Sequence, residues 1–269
     1  MKKKEVQAKI RTNKKRWITF GVGLTLLVLG VILTMVTRNG ALAEEAAAGA
    51  KLPFALGLIM VLLGVLIPAA GALPEKKTTD VRTLSMAALF AALCYIGFTY
   101  CKIDIPVGME KTAFHLGNVF CVLAALFLGG FWGGMSGAVG MTIADLTTAY
   151  VTSAPKTFLL KLCIGLITGF VAHKVFKLSQ DKEDRKLPLT AATAISCAAG
   201  MGFNIVADPL VGYFYKMYVL GVPQEAANIW AKIGAVTTSV NAVVAVIAAT
   251  VLYMALRKAM KRSNLLPKL

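Results

Sequence analysis

Long apolar runs constrain this chain more than any other feature. They lie near residues 17–36, 53–73, 83–101, 112–128, 131–150, 157–176, 189–213 and 229–256. A hydrocarbon core about 30 Å thick takes about 20 apolar residues of helix to cross, so roughly eight spans are expected. Inside a bilayer every backbone N–H and C=O must be satisfied by the chain itself, and for runs this long and uniformly apolar the α-helix is the form that does so. Composition agrees, with 57% of the 269 residues apolar and a mean hydropathy of +0.71, above the usual soluble domain. The expected fold class is all-α, a polytopic membrane helical bundle.

A net charge of +16 would suit a nucleic-acid partner if it were spread over one face, so its placement decides. Segments 1–16, 74–82, 174–186 and 257–269 hold eight, three, five and five of the 29 Lys and Arg, 21 in all. With the N-terminus cytoplasmic, all four segments lie inside, a strong positive-inside bias that predicts both termini in the cytoplasm. The basic tails read as anchors at an anionic leaflet of the lipid bilayer, and no nucleic acid is expected. The basic start followed by an apolar run resembles a signal peptide, but the run is long and no small-residue cleavage site follows Met35, so it reads as a retained helix. Five cysteines, Cys94, Cys101, Cys121, Cys163 and Cys197, sit in or beside apolar runs without CxxC spacing, which argues against a disulfide or zinc framework.

The charged segment PEKKTTDVR divides the chain. Residues 1–79 read as a basic tail, an extra two-helix transmembrane hairpin and an inner linker, with almost no polar group inside the apolar runs. Residues 80–269 read as a six-helix unit. Its first run carries small residues four apart, Ala87 with Ala91 and Ala88 with Ala92, a spacing that lets another helix approach closely, either within the bundle or from a partner. The stretch CKIDIPVGMEK then reads as a charged outer loop able to cover a cavity, or simply as a solvated one.

Polar residues interrupt the later runs toward one end. His115 and Asn118 are expected three apart on one face of a helix over 112–128. Asp145 sits in the outer third of its run, where a carboxylate costs a few kcal/mol and needs a partner or water. Lys156 lies in the following loop, and Lys161 follows one turn inside the next helix, where it either contacts a solute or snorkels to the interface. Ser196, Gly200, Asn204 and Asp208 recur every four residues on one face, with Pro209 behind them. Trp230, Gly234, Thr237 and Asn241 form another stripe running inward. His115, Asn118, Asp145, Lys156, Lys161, Asn204, Asp208, Trp230 and Asn241 are therefore the candidate substrate-binding residues. Gly133, Gly137 and Ala144, and then Gly165, Gly169 and Ala172, are expected to be close-packing stripes.

The alanine pairs, the HLGN of 115–118, the LGGFWGGMSGAVGMTIADL of 128–146 and the APKTFLLKLCIGLITG of 154–169 together resemble the substrate-binding S components of energy-coupling factor (ECF) transporters, most closely the riboflavin-type group. The resemblance spans about residues 80 to 257 and leaves the first two helices as an addition. It implies a six-helix fold in the bacterial cell membrane with an outward-facing pocket for one vitamin, no metal or cofactor, and no catalysis by this chain. It also implies docking of Ala87, Ala88, Ala91 and Ala92 on a transmembrane T component driven by two cytoplasmic ATPases. Flavin leads among vitamins because planar rings suit Trp230 and the neighbouring tyrosines.

Two other classes remain to be weighed. A proton- or sodium-coupled secondary transporter would use Asp145 or Asp208, but the polar residues crowd one half of the spans and form no path across. A membrane enzyme would need a nucleophile and base, or HExxH or GxSxG, and neither motif is present.

Overall fold

The computed structural model describes residues 29, 80–107, 110–179 and 187–263. The chain divides into two units, Met1–Glu75 and Lys76–Leu269, and apart from Leu29 the described residues belong to the second. The helical pair expected over 17–73 lies outside them.

The second unit is an all-α membrane bundle with one small hairpin. Helix α1 spans Val81–Thr99, strands β1 and β2 span Lys102–Val107 and Glu110–His115, and α2 spans Gly117–Leu128. Then come α3 (Gly130–Leu146), a 3-10 turn (Val151–Ser153), α4 (Ala154–Phe170) with a π-turn to Val175, α5 (Leu189–Phe214) with a π-turn to Val219, and α6 (Gln224–Arg262). Asp80 caps α1 by accepting from the Arg82 N–H at 3.4 Å, which satisfies one of the donors a helix start leaves open. Pro155 sits in the first turn of α4, where its missing N–H breaks no helical bond. Helix α1, α4 with its flanking turns, α5 with its π-turn, and α6 are each long and apolar enough to cross a membrane.

Helix α2 is the centre of the bundle. Every one of its residues except Phe120 is buried, as expected of a helix that is apolar on all sides, and it packs against α1, α3, α4 and α6. Glycines set how closely the others approach. A side chain at Gly140 would meet the Ala91 backbone of α1, and one at Gly165 of α4 would meet Gly134 of α3. The stripes expected from spacing are the ones used: Gly133 faces Ala125, Gly137 faces Cys121 and Gly169 faces Gly130. Without a hydrophobic drive between helices in lipid, such close packing is what holds them together.

One expected helix starts late. Residues 110–115 form β2, antiparallel to β1 with Lys102 opposite His115 and Val107 opposite Glu110, and α2 begins only at Gly117. His115 and Asn118 therefore share no helical face. The physical reason lies in its partners: the preceding KIDIPV alternates in period two, as a strand does, and pairs with 110–115, while α6 supplies hydrogen bonds to its backbone. The Asn241 side chain accepts from the His115 N–H at 3.0 Å and donates to the Ala113 carbonyl at 3.0 Å. Thr112 and Thr237 add a hydroxyl pair at 3.1 Å.

The four alanines of α1 also divide. Ala87 is buried, and its carbonyl accepts from the Ser136 hydroxyl at 2.9 Å, while Ala91 backs Gly140 of α3. Both pack within the bundle rather than outward. Ala88 and Ala92 are exposed.

Candidate functional site

The bundle is open at one end, where the C-terminal ends of α3 and α5 meet the N-terminal ends of α4 and α6 beneath β2. A cavity there offers about 140 Å³ to the centres of water molecules, room for on the order of ten waters. All nine polar and aromatic candidates, His115, Asn118, Asp145, Lys156, Lys161, Asn204, Asp208, Trp230 and Asn241, line it.

Each wall is positioned differently. Asn118 stands in the first turn of α2 and Asp145 in the last turn of α3. Thr157 of α4 lies beside the Asp145 carboxylate. Lys156 pairs with Asp208 of α5 at 2.8 Å, and the other Asp208 oxygen accepts from Thr238 of α6 at 2.8 Å. That carboxylate is thus held from two helices. Asn241 is committed to the backbone of β2, so it builds the wall rather than facing the cavity with free donors.

Other polar atoms are left open. His115 Nδ1, Asn118 Oδ1, Asp145 Oδ2 and Asn204 Oδ1 are buried without a hydrogen-bond partner among the described residues. The side chains are deep: Asn118 is 2%, Asp145 2% and Asn204 1% exposed. Lys161 is 7% exposed, and its ammonium has no ion pair or hydrogen bond among the described residues. Snorkelling to the interface, open on sequence grounds, is not what it does. Buried polar groups are nearly always paired, and these five converge on one cavity from five different elements, β2, α2, α3, α4 and α5.

Of the rest of the lining, Gly234 and Thr237 were expected from the Trp230 stripe and Tyr213 from the neighbouring tyrosines, and the other side chains were not singled out. Phe98, Met141, Tyr150, Tyr213, Lys216 and Thr238 all contribute. Phe98 meets the His115 ring edge-on at 4.7 Å and Tyr150 at 5.5 Å. The hairpin is fastened over this aromatic group by Asp104, which accepts from the Tyr150 hydroxyl at 2.8 Å and pairs with Lys102 at 3.2 Å. Lys102 also lies 4.8 Å from the Tyr150 ring centroid. Partial burial pushes the Asp104 carboxyl up, but the Tyr150 hydrogen bond and the Lys102 ammonium outweigh it and hold the group below its ordinary value. The one available signal was the alternation of KIDIPV, obscured by Pro106 and Gly108. Trp230 lines the mouth with the Lys216 ammonium 4.3 Å from its ring centroid.

His173, at the other end of the bundle, belongs to no cavity group. Its ring bonds the Ser179 hydroxyl at 2.6 Å and the Ala125 carbonyl at 3.2 Å, tying the end of α4 to α2.

No curated protein and no solved structure matches the chain. A family model described as ECF-type riboflavin transporter, S component, matches residues 78–258.

Proposed function

The chain belongs to the family of ECF-type riboflavin transporter S components, and we propose on that premise that it is the high-affinity substrate-binding subunit of an ECF-type ABC importer, with a flavin as its vitamin. The observation that carries this reading is the set of unmet polar groups around one cavity. Asn118 and Asn204 offer carbonyl oxygens in want of a donor, and Lys161 offers an ammonium in want of an acceptor. The pyrimidine edge of a flavin presents an imide N–H between two carbonyls, which suits both needs at once. Phe98, Tyr150 and Tyr213 give aromatic surface for a planar ring. A solute that left these groups unpaired would be rejected, because the penalty for an unsatisfied buried polar group falls on the wrong ligand.

The remaining assignments follow from the family and from the charge pattern. The cavity end faces outward and the basic end, with Lys174, Arg257, Lys258, Lys261 and Arg262, faces the cytoplasm of a bacterial cell. This chain binds and does not catalyse. ATP is hydrolysed by two separate ATPases, consistent with a sequence that carries no GxxxxGK[ST]. The T component docks on the exposed side of α1 at Ala88 and Ala92.

Native mass spectrometry of the protein purified from rich medium, joined to quenching of riboflavin fluorescence on titration, tests the reading. A single bound flavin per chain is expected. Stabilisation by a different vitamin alone would replace the flavin, and a response only to sodium or pH would replace the importer.

A further inference from the structure

Helix α6 carries no charged residue from Ile233 to Leu256, a run of about 36 Å at about 1.5 Å per residue, enough to cross the hydrocarbon of a bilayer. One face of that run, with Ala245, Ala249 and Tyr253, is buried against the bundle. The opposite face is bare among the described residues. Val236 is 62%, Ile247 61% and Val251 62% exposed, with Val240 and Val243 between them and Met254 beyond.

The charge that follows continues this face. Lys258 comes four residues after Met254 and seven after Val251, and Arg262 comes four after Lys258 and eleven after Val251, spacings that keep both on the apolar side. Both are exposed, and neither makes a hydrogen bond or ion pair among the described residues. Arg257, on the neighbouring face, is committed elsewhere: its guanidinium donates to the Leu178 carbonyl at 2.9 Å and fastens the turn after α4 to α6. Lys261, at the edge nearer Arg257, has interactions of its own. Thr190 of α5 stands beside the apolar face, its hydroxyl 3.8 Å from the Met254 sulfur, one turn before Lys258.

Two like charges one turn apart repel each other on a helix. A helix C-terminus favours cations but does not require them on the lipid side, and an anion seated between them removes the repulsion. The molecule that matches the whole face carries a negative head on apolar chains. We propose that the basic end of this α6 face is a binding site for an anionic phospholipid, with its acyl chains along Val240, Val243, Ile247 and Val251 and its headgroup phosphate between Lys258 and Arg262. Thr190 adds a hydroxyl at headgroup level. A zwitterionic lipid offers the same phosphate but brings an ammonium with it, so it satisfies the pair less well. An acidic peptide from solution meets the cations and leaves the apolar stripe unused.

The test titrates the full-length chain in detergent with phosphatidylglycerol or with phosphatidylcholine of the same chains, read by native mass spectrometry. Each cation near a membrane surface contributes roughly fivefold, so one phosphatidylglycerol is expected to be held about tenfold to thirtyfold more tightly than phosphatidylcholine. The double variant Lys258→Gln, Arg262→Gln should lose that preference, and Lys258→Arg should keep it. The triple variant Lys2→Gln, Lys3→Gln, Lys4→Gln should keep it too, because the attraction does not come from the basic start of the chain. Inorganic phosphate should not displace the lipid, since the acyl chains share in holding it. Hydrogen exchange over 255–263 should slow with phosphatidylglycerol in the wild type and not in the double variant. Equal retention of the two lipids, a preference that survives the double variant or is lost in the triple one, displacement by phosphate, or unchanged exchange over 255–263 each overturns the inference.

Discussion

Replacing Lys161 by methionine should raise stability while weakening solute binding, and the two signs together are the test. Lys161 is 7% exposed, and its ammonium has no hydrogen bond or ion pair among the described residues. A buried polar group without its partner costs about 1–3 kcal/mol in mutational data. Methionine keeps an unbranched chain of similar length and is free of that penalty. In a unit of this size about 1 kcal/mol shifts the melting temperature by about 2–4 °C, so a rise of about 2 °C or more is expected in scanning fluorimetry of the solute-free protein. Binding moves the other way. A hydrogen bond to a charged group contributes about 1.5–3 kcal/mol, and about 1.4 kcal/mol is tenfold in affinity. Fluorescence titration should therefore show solute affinity reduced about tenfold to 150-fold. A lower melting temperature with unchanged affinity would mean that the ammonium braces the bundle through Asp145 and Asp208, and the reasoning would be wrong.

Asn241→Leu leaves the His115 N–H and the Ala113 carbonyl without partners, at about 1–3 kcal/mol each. Binding should weaken at least tenfold and hydrogen exchange across 110–116 should rise, whereas Thr237→Val, which removes one hydroxyl pair, should do markedly less; equal effects would deny Asn241 its part in seating β2. Asp104 is held below its ordinary value of 3.8 in the folded chain, so its contribution is full above that value and is lost as pH falls through the lower, folded one. Exchange in 102–107, corrected for intrinsic rate, should rise on acidification in the wild type, while Asp104→Asn should already be raised at neutral pH and respond little further. Ala88→Trp should leave solute binding intact and prevent co-purification with a T component, whereas Ala87→Trp should destabilise the chain itself, since Ala87 is packed inside; recovery of intact complex with Ala88→Trp would count against docking on that face.

Residue spacing revealed the site better than it revealed the local fold. Asn118, Asp145, Lys161, Asn204 and Asp208 stood out because a polar side chain in an apolar run is expensive unless something inside the bundle receives it, and that argument is independent of the exact helix ends. The strand over 110–115 was hidden for the same reason: counting apolar residues to a bilayer's thickness treats TAFH as helix, and the partner that makes it a strand, Asn241, lies 126 residues from His115. Spacing placed Ala87 with Ala91 and Ala88 with Ala92, but it has no means of saying which pair faces out. The answer came from Ser136 and Gly140 on α3, which claim the first pair. Phe98 and Tyr150 gave no warning, because their contacts cross between elements and neither carries a charge inside an apolar run.

The position of the cavity follows from the length of the central helix. The 12 residues of α2 rise only about 18 Å, short of the hydrocarbon thickness of about 30 Å, whereas its neighbour α6 extends through 39 residues, about 58 Å. A full-length helix in the middle would fill the bundle to its end. Here β2 lies over the missing length with its backbone paired to α6, and the space below it is bounded by the ends of α3, α4 and α5. Helix ends are also where polar side chains are least costly to place, because water reaches them before a solute does. A short central helix thus creates both the void and its polar wall. Lengthening α2 by one turn, about 5.4 Å, should abolish solute binding by occupying that space even in a chain that still folds; binding that survived such an insertion would place the solute elsewhere.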